Sequence, residues 1–152
     1  MNHSPYFFIH VFAAVIAYIS FAFSFVAGLF YLYQDAQLKQ HRLAKGPSLE
    51  VLERLVFRGL LIGLPVLTAA LISGFIWMKN DFGTLWIWNS KITSSIVAWL
   101  VYSAIFYFHY VSGVHGRKMV ILSVCAFSLI VFIFLGMNLF EAQIHAALQH
   151  RA

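Results

Sequence analysis

The residues able to carry chemistry in this chain are histidines set in apolar surroundings and one tryptophan-dense segment. His10 lies in the run Phe8-Ile9-His10-Val11, about one turn inside the first apolar stretch. His145 lies about one turn beyond the last such stretch. Between them in sequence, Lys79-Asn80-Asp81-Phe82-Gly83-Thr84-Leu85-Trp86-Ile87-Trp88-Asn89-Ser90-Lys91 reads as a connection with an aromatic platform and a lysine on each side. Ionisable side chains at membrane depth are costly and tend to be functional. Two imidazoles that face each other can supply both axial ligands to a haem iron. Trp86, Trp88 and Phe82 then give the porphyrin apolar walls, and Lys79 and Lys91 are cations for its propionates. Each feature alone has a plainer reading. His10 reads as a hydrogen-bonded core residue, His145 as an exposed helix end, and the loop as an interfacial aromatic belt with snorkelling lysines. Together on one face they favour haem b held non-covalently by His10 and His145, since no CxxCH is present for covalent attachment.

The other histidines are weaker candidates. His3 falls near the N-terminus, His41 in a basic connection and His115 in a short turn where a solvated role is expected. His109 reads as a packing residue or half of a second site whose partner the spacing does not reveal. His150 competes with His145, but five residues along a helix turn it well away from the same face. The acids Asp35, Glu50, Glu53, Asp81 and Glu141 are scattered at helix ends and in connections. Phosphate loops, nucleophile elbows and HExxH are missing, so independent catalysis is not supported. The single cysteine, Cys125, is expected to be a small core residue.

What must position these side chains is a set of membrane helices. Of 152 residues, 62% are hydrophobic and 10% charged, against about 25% charged in an ordinary soluble domain. Four apolar runs, about 6–33, 55–78, 89–111 and 119–140, each reach the roughly 20 residues that cross a bilayer core. Lipid offers the backbone no hydrogen bonds, so each run must be helical. The expectation is an all-α integral membrane protein, residues 1–152 forming one four-helix domain. Gly28, Gly59, Gly63, Gly74 and Gly136 suit close helix packing, and Pro65 is expected to kink the second span. Ser48 reads as an N-cap followed by Glu50, with Leu49, Leu52 and Leu55 at helical spacing.

Lys39, Arg42, Lys45, Arg54 and Arg58 cluster about the first connection and Arg117 and Lys118 about the third. Only Lys79, Lys91 and Arg151 fall on the opposite side. The positive-inside rule places these clusters in the cytoplasm and both termini outside, in a multi-pass protein of the cytoplasmic (inner) membrane. The +5 formal charge therefore reflects cytoplasmic loops, and no nucleic-acid surface is expected. Residues 1–33 read as a retained helix, because Lys and Arg do not precede an apolar stretch about twice the usual signal-peptide length.

The ordered motifs resemble the cytochrome c assembly protein family, polytopic haem-handling proteins with a tryptophan-rich loop. Phe8-Ile9-His10-Val11 with Ala17-Tyr18 resembles that family's first ligand helix. Leu49-Glu50-Val51-Leu52-Glu53-Arg54-Leu55 with Arg58 resembles its entry to the next helix. Gly83-Thr84-Leu85-Trp86-Ile87-Trp88-Asn89 resembles its WGxxWxWD loop, Asn89 standing where Asp is usual and Phe82 where the first Trp often stands. Ile92 or Thr93 replaces an expected acid. Trp99-Leu100-Val101-Tyr102, Gly116-Arg117-Lys118 and Phe134-Leu135-Gly136-Met137-Asn138-Leu139 follow in order and lead to His145. The resemblance implies that His10 and His145 bracket the loop and hold haem at the outer face, in a minimal four-helix core.

The leading expectation is a haem-b-binding membrane protein that holds haem for delivery or relay among other membrane subunits of cytochrome c assembly. The alternative is a bis-histidine electron-transfer subunit of a larger respiratory complex, and a third reading is a haem-free structural subunit.

Overall fold

A computed structural model describes residues 5–40, 46–83 and 90–149, the side chains of 90–91 and 137–149 excepted. The chain forms four helices: α1 (Pro5–Lys39), α2 (Leu49–Phe82), α3 (Ser90–Val111) and α4 (Arg117–Gln149). All four contain a stretch long and apolar enough to cross a membrane. Only 22% to 33% of each such stretch is buried within the bundle. The rest, including Phe12 at 67% and Phe132 at 76% exposure, is an apolar surface suited to lipid. These are the features of a multi-pass membrane protein.

Neighbours in sequence are neighbours in space, and α4 closes the ring against α1. The α1–α2 pair is the most extensive. Its backbones approach closely at Gly59, where an added Cβ would lie 2.8 Å from both the Ser20 carbonyl oxygen and the Ser24 Cβ. Ser24, buried at this crossing, donates to the Val56 carbonyl at 2.9 Å and lies 3.3 Å from the Ser123 hydroxyl on α4. Such hydroxyls satisfy themselves across helices where lipid cannot. The Phe21 and Tyr102 rings stack at 3.9 Å, tying α1 to the diagonal helix α3.

The helices overrun the expected spans. α1 has 35 residues, about 52 Å at 1.5 Å per residue against a hydrocarbon core of about 30 Å. Its last turns carry Gln34, Asp35 and Lys39 beyond the apolar run. α2 begins at Leu49, where Ser48 caps it by accepting from the Val51 N–H at 3.3 Å. The helix is continuous through Pro65 and ends a turn later than the apolar run, capped by left-handed Gly83. Lys79, Asn80, Asp81 and Phe82 are therefore helical, and the connection read from Lys79 onward begins at Gly83. Two expectations are corrected on α4. Cys125 is exposed on the outward face, because Met119, Val120, Ser123, Ala126 and Ile130 form the buried stripe. Gly136 faces open space instead of a neighbouring helix.

Candidate functional site

The N-terminal end of α1, the C-terminal end of α2 and the start of α3 meet at His10. The imidazole is half-buried, and its Nδ1 lies 2.7 Å from the Ala70 carbonyl oxygen on α2. A carbonyl only accepts, so Nδ1 carries the proton and Nε2 presents its lone pair. The same carbonyl also accepts from the Ser73 hydroxyl at 3.1 Å. Gly74 provides the notch that admits the ring, since a Cβ there would stand 2.7 Å from Nδ1. A ring fixed through Nδ1 to a backbone carbonyl is the usual preparation of a metal-ligating histidine.

Trp77 forms the next wall, nearly parallel to His10 with ring centres 6.3 Å apart. Its indole N–H donates to Asp81 at 2.5 Å. Phe7 packs on one side of Trp77 at 5.0 Å, and Phe82 meets it edge-on at 5.7 Å. His10, Leu71, Trp77, Met78, Ile92 and Ser95 are among the residues around a cavity of about 100 Å³. That space suits a few waters and is too small for a macrocycle.

The sequence-derived site residues are distributed as follows. His10 and Phe82 are joined through Trp77. Lys79 is exposed one turn before Gly83. Lys91 lies on α3 and His145 on α4, but their side chains are outside the described residues, as are Trp86 and Trp88 altogether. The register of α4 can still be followed. Gly28 meets Val120 and Val124, and Val15 shares a groove with Phe134 and Leu135. The C-terminal part of α4 therefore returns to the His10 end. Extending that register sets His145 about five residues, roughly 7.5 Å, further along the bundle axis than His10. Ala70 and Trp77 were missed by sequence reasoning, and Gly74 was read only as a packing glycine. Their signal was available only as two small residues and a tryptophan spaced along one α2 face.

A four-helix membrane bundle with a carbonyl-anchored histidine among aromatic rings at one end is the class that fold and site define. The sequence matches the family model described as Cytochrome C assembly protein over residues 1–145, and the chain belongs to that family. It is 34% identical over 97 residues to "Cytochrome c biogenesis protein CcsA" of Prochlorococcus marinus (strain NATL1A), covering 64% of this chain and 31% of that protein. It is 31% identical over 97 residues to the protein of the same name from Trichodesmium erythraeum (strain IMS101), covering 64% of this chain and 28% of that one. The matched stretch thus spans less than a third of these relatives. No solved structure matches.

Proposed function

We propose that the chain acts in cytochrome c assembly by holding haem b non-covalently at the extracytoplasmic end of the bundle, as cargo for delivery or relay. The observation that carries this reading is the state of His10. Its Nδ1 proton is committed to Ala70, its ring is seated in the Gly74 notch, and Nε2 is left as a ligand. Family membership supplies the cargo class, and the donor set fits it, since neutral imidazole is a standard axial ligand of haem iron.

In this reading His145 is the second ligand, brought to the same end by α4. Trp86 and Trp88 cover the macrocycle, while Trp77, Phe7 and Phe82 back its edge. Lys79 and Lys91 pair with the propionates. Holding the haem on the rim, instead of burying it, keeps it releasable. The basic residues Lys39, Arg54, Arg58, Arg117 and Lys118 sit at the other end of the helices, and the positive-inside rule supports a His10 end facing away from the cytoplasm. The membrane is the cytoplasmic one, and the partners are other membrane subunits of the assembly apparatus.

Haem release is the decisive test. Purified protein is loaded with haem in detergent and mixed with a soluble apo-acceptor. The expected result is a bound b-type spectrum followed by loss of haem to the acceptor. Retention through repeated reduction and oxidation would favour an electron-transfer subunit, and failure to bind haem would leave a structural role. The Trp86→Ala/Trp88→Ala variant should show reduced haem occupancy with unchanged thermal unfolding. Full occupancy would remove the loop from the site.

A further inference from the structure

The carbonyl that holds His10 is reached by a second side chain, to which the haem reading gives no role. Serine and threonine inside a helix often return the hydroxyl to the carbonyl four residues back. Ser20, Thr68 and Ser128 do so, to the Ile16, Leu64 and Val124 oxygens, each at 2.9 Å. Ser73 reaches two carbonyls. Its hydroxyl lies 2.8 Å from the Ala69 oxygen and 3.1 Å from the Ala70 oxygen. The second is the oxygen that takes the His10 Nδ1 proton at 2.7 Å. Ser73 and Ala70 are both buried, so bulk solvent does not compete for this acceptor.

A carbonyl oxygen has two lone pairs. In α2 the Ala70 oxygen already faces the Gly74 N–H of its own helix, and His10 and Ser73 both add to that demand. Each further donor draws on the same electron density, so the bond from Nδ1 is weaker than it would be without the hydroxyl. That bond governs the ring's other nitrogen. A strong acceptor at Nδ1–H pushes electron density toward Nε2 and makes the imidazole a firmer ligand, and a shared acceptor makes it a looser one.

We propose that Ser73 is a positioning residue which, by sharing the Ala70 carbonyl, holds the His10 Nδ1–H bond below full strength and keeps His10 a releasable haem ligand. The consequence for haem rests on the delivery reading; the sharing of the carbonyl does not. The hydroxyl lies nearer Ala69 than Ala70, so the share taken from His10 is partial. Ser73→Ala removes the competing donor within the same space, and Ser73→Thr keeps it.

The test begins with the full chain, free of haem, in detergent micelles with ¹⁵N-labelled histidine. The Nδ1–H resonance of His10 is identified by its loss in His10→Ala. In Ser73→Ala it should move downfield, the direction of a stronger hydrogen bond, and in Ser73→Thr it should stay at the wild-type position. A serine that only stabilises the helix would alter thermal unfolding and leave this resonance in place. The second measurement is haem transfer to a soluble apo-acceptor. Losing an outer hydrogen-bond partner altogether changes metal affinity by roughly 10- to 100-fold, so removing a competitor for that partner should slow transfer by about threefold. Ser73→Thr should transfer at the wild-type rate. An unmoved or upfield resonance in Ser73→Ala, or an equal shift in Ser73→Thr, overturns the proposal. A downfield shift with an unchanged transfer rate overturns its claim about release. A wild type that binds no haem defeats the delivery reading instead, and the resonance then decides the sharing of the carbonyl by itself.

Discussion

At one end of the bundle the His10 ring is bonded to the Ala70 carbonyl of the neighbouring helix; at the other, the His109 ring at the end of α3 and the His115 ring in the α3–α4 turn are bonded to carbonyls of that turn. In both places a backbone oxygen takes the Nδ1 proton of the ring. The surroundings then diverge. His10 is walled by Trp77, Phe7 and Phe82, with its second candidate ligand on a distant element. The His109 and His115 rings, with centres 4.2 Å apart, have Glu50, Glu53 and Arg54 beside them. The same local hydrogen bond thus stands in two different settings, one apolar and aromatic, the other charged. It also separates two kinds of order. The His10 site depends on how α1 sits against α2, whereas the histidine pair depends on the α3–α4 reversal at left-handed Gly113 and Gly116 and its contact with Glu53.

The sharpest way to break this comparison is to test whether the two ends face different compartments. A reporter active only in the cytoplasm should be active when fused after Gln40 and inactive when fused after Asn80. Reversed activities would put the haem end in the cytoplasm and undo the delivery reading. A large but graded effect is expected from Gly74→Leu. Its side chain must displace the His10 ring, so haem occupancy should fall severely while the helices remain, at a stability cost of about 1–3 kcal/mol. Equal haem occupancy in wild type and variant would show that the notch does not hold the ligand. The smallest effect belongs to the opposite end. Glu53→Gln replaces a charge-assisted acceptor for the Gly116 N–H by a neutral one, costing roughly 1 kcal/mol. Thermal unfolding should register that loss, and haem occupancy should not change.

Much of the fold was legible because bilayer solvation is severe. Four apolar runs had to be helices, and Ser48, Leu49, Leu52 and Leu55 announced where α2 starts. The extra turns of α1 were less visible, since Gln34, Asp35 and Lys39 carry no apolar signal once the chain leaves the hydrocarbon. Cys125 was misplaced because an all-apolar run does not state which face looks inward. In the site, His10 stood out as an ionisable residue in an apolar run. Ala70, Gly74 and Trp77 did not, because their contact with a residue some sixty positions away depends on the relative rotation of two helices. His115 was read as solvated and is exposed; His109 was read as a packing residue or half of a second site, and its ring packs on Phe57 and on His115. Helical periodicity does not bring residues six apart together; two left-handed glycines do.

The most direct test of the central claim is the visible spectrum of purified wild type, His10→Ala and His145→Ala after haem loading. The wild type should give a low-spin b-type spectrum with sharp reduced bands. Each variant should lose haem or turn high-spin, because one imidazole leaves an axial position open. A low-spin spectrum that persists in His10→Ala would contradict the account. Persistence in His145→Ala alone, with loss in His150→Ala, would move the second ligand to the end of the chain.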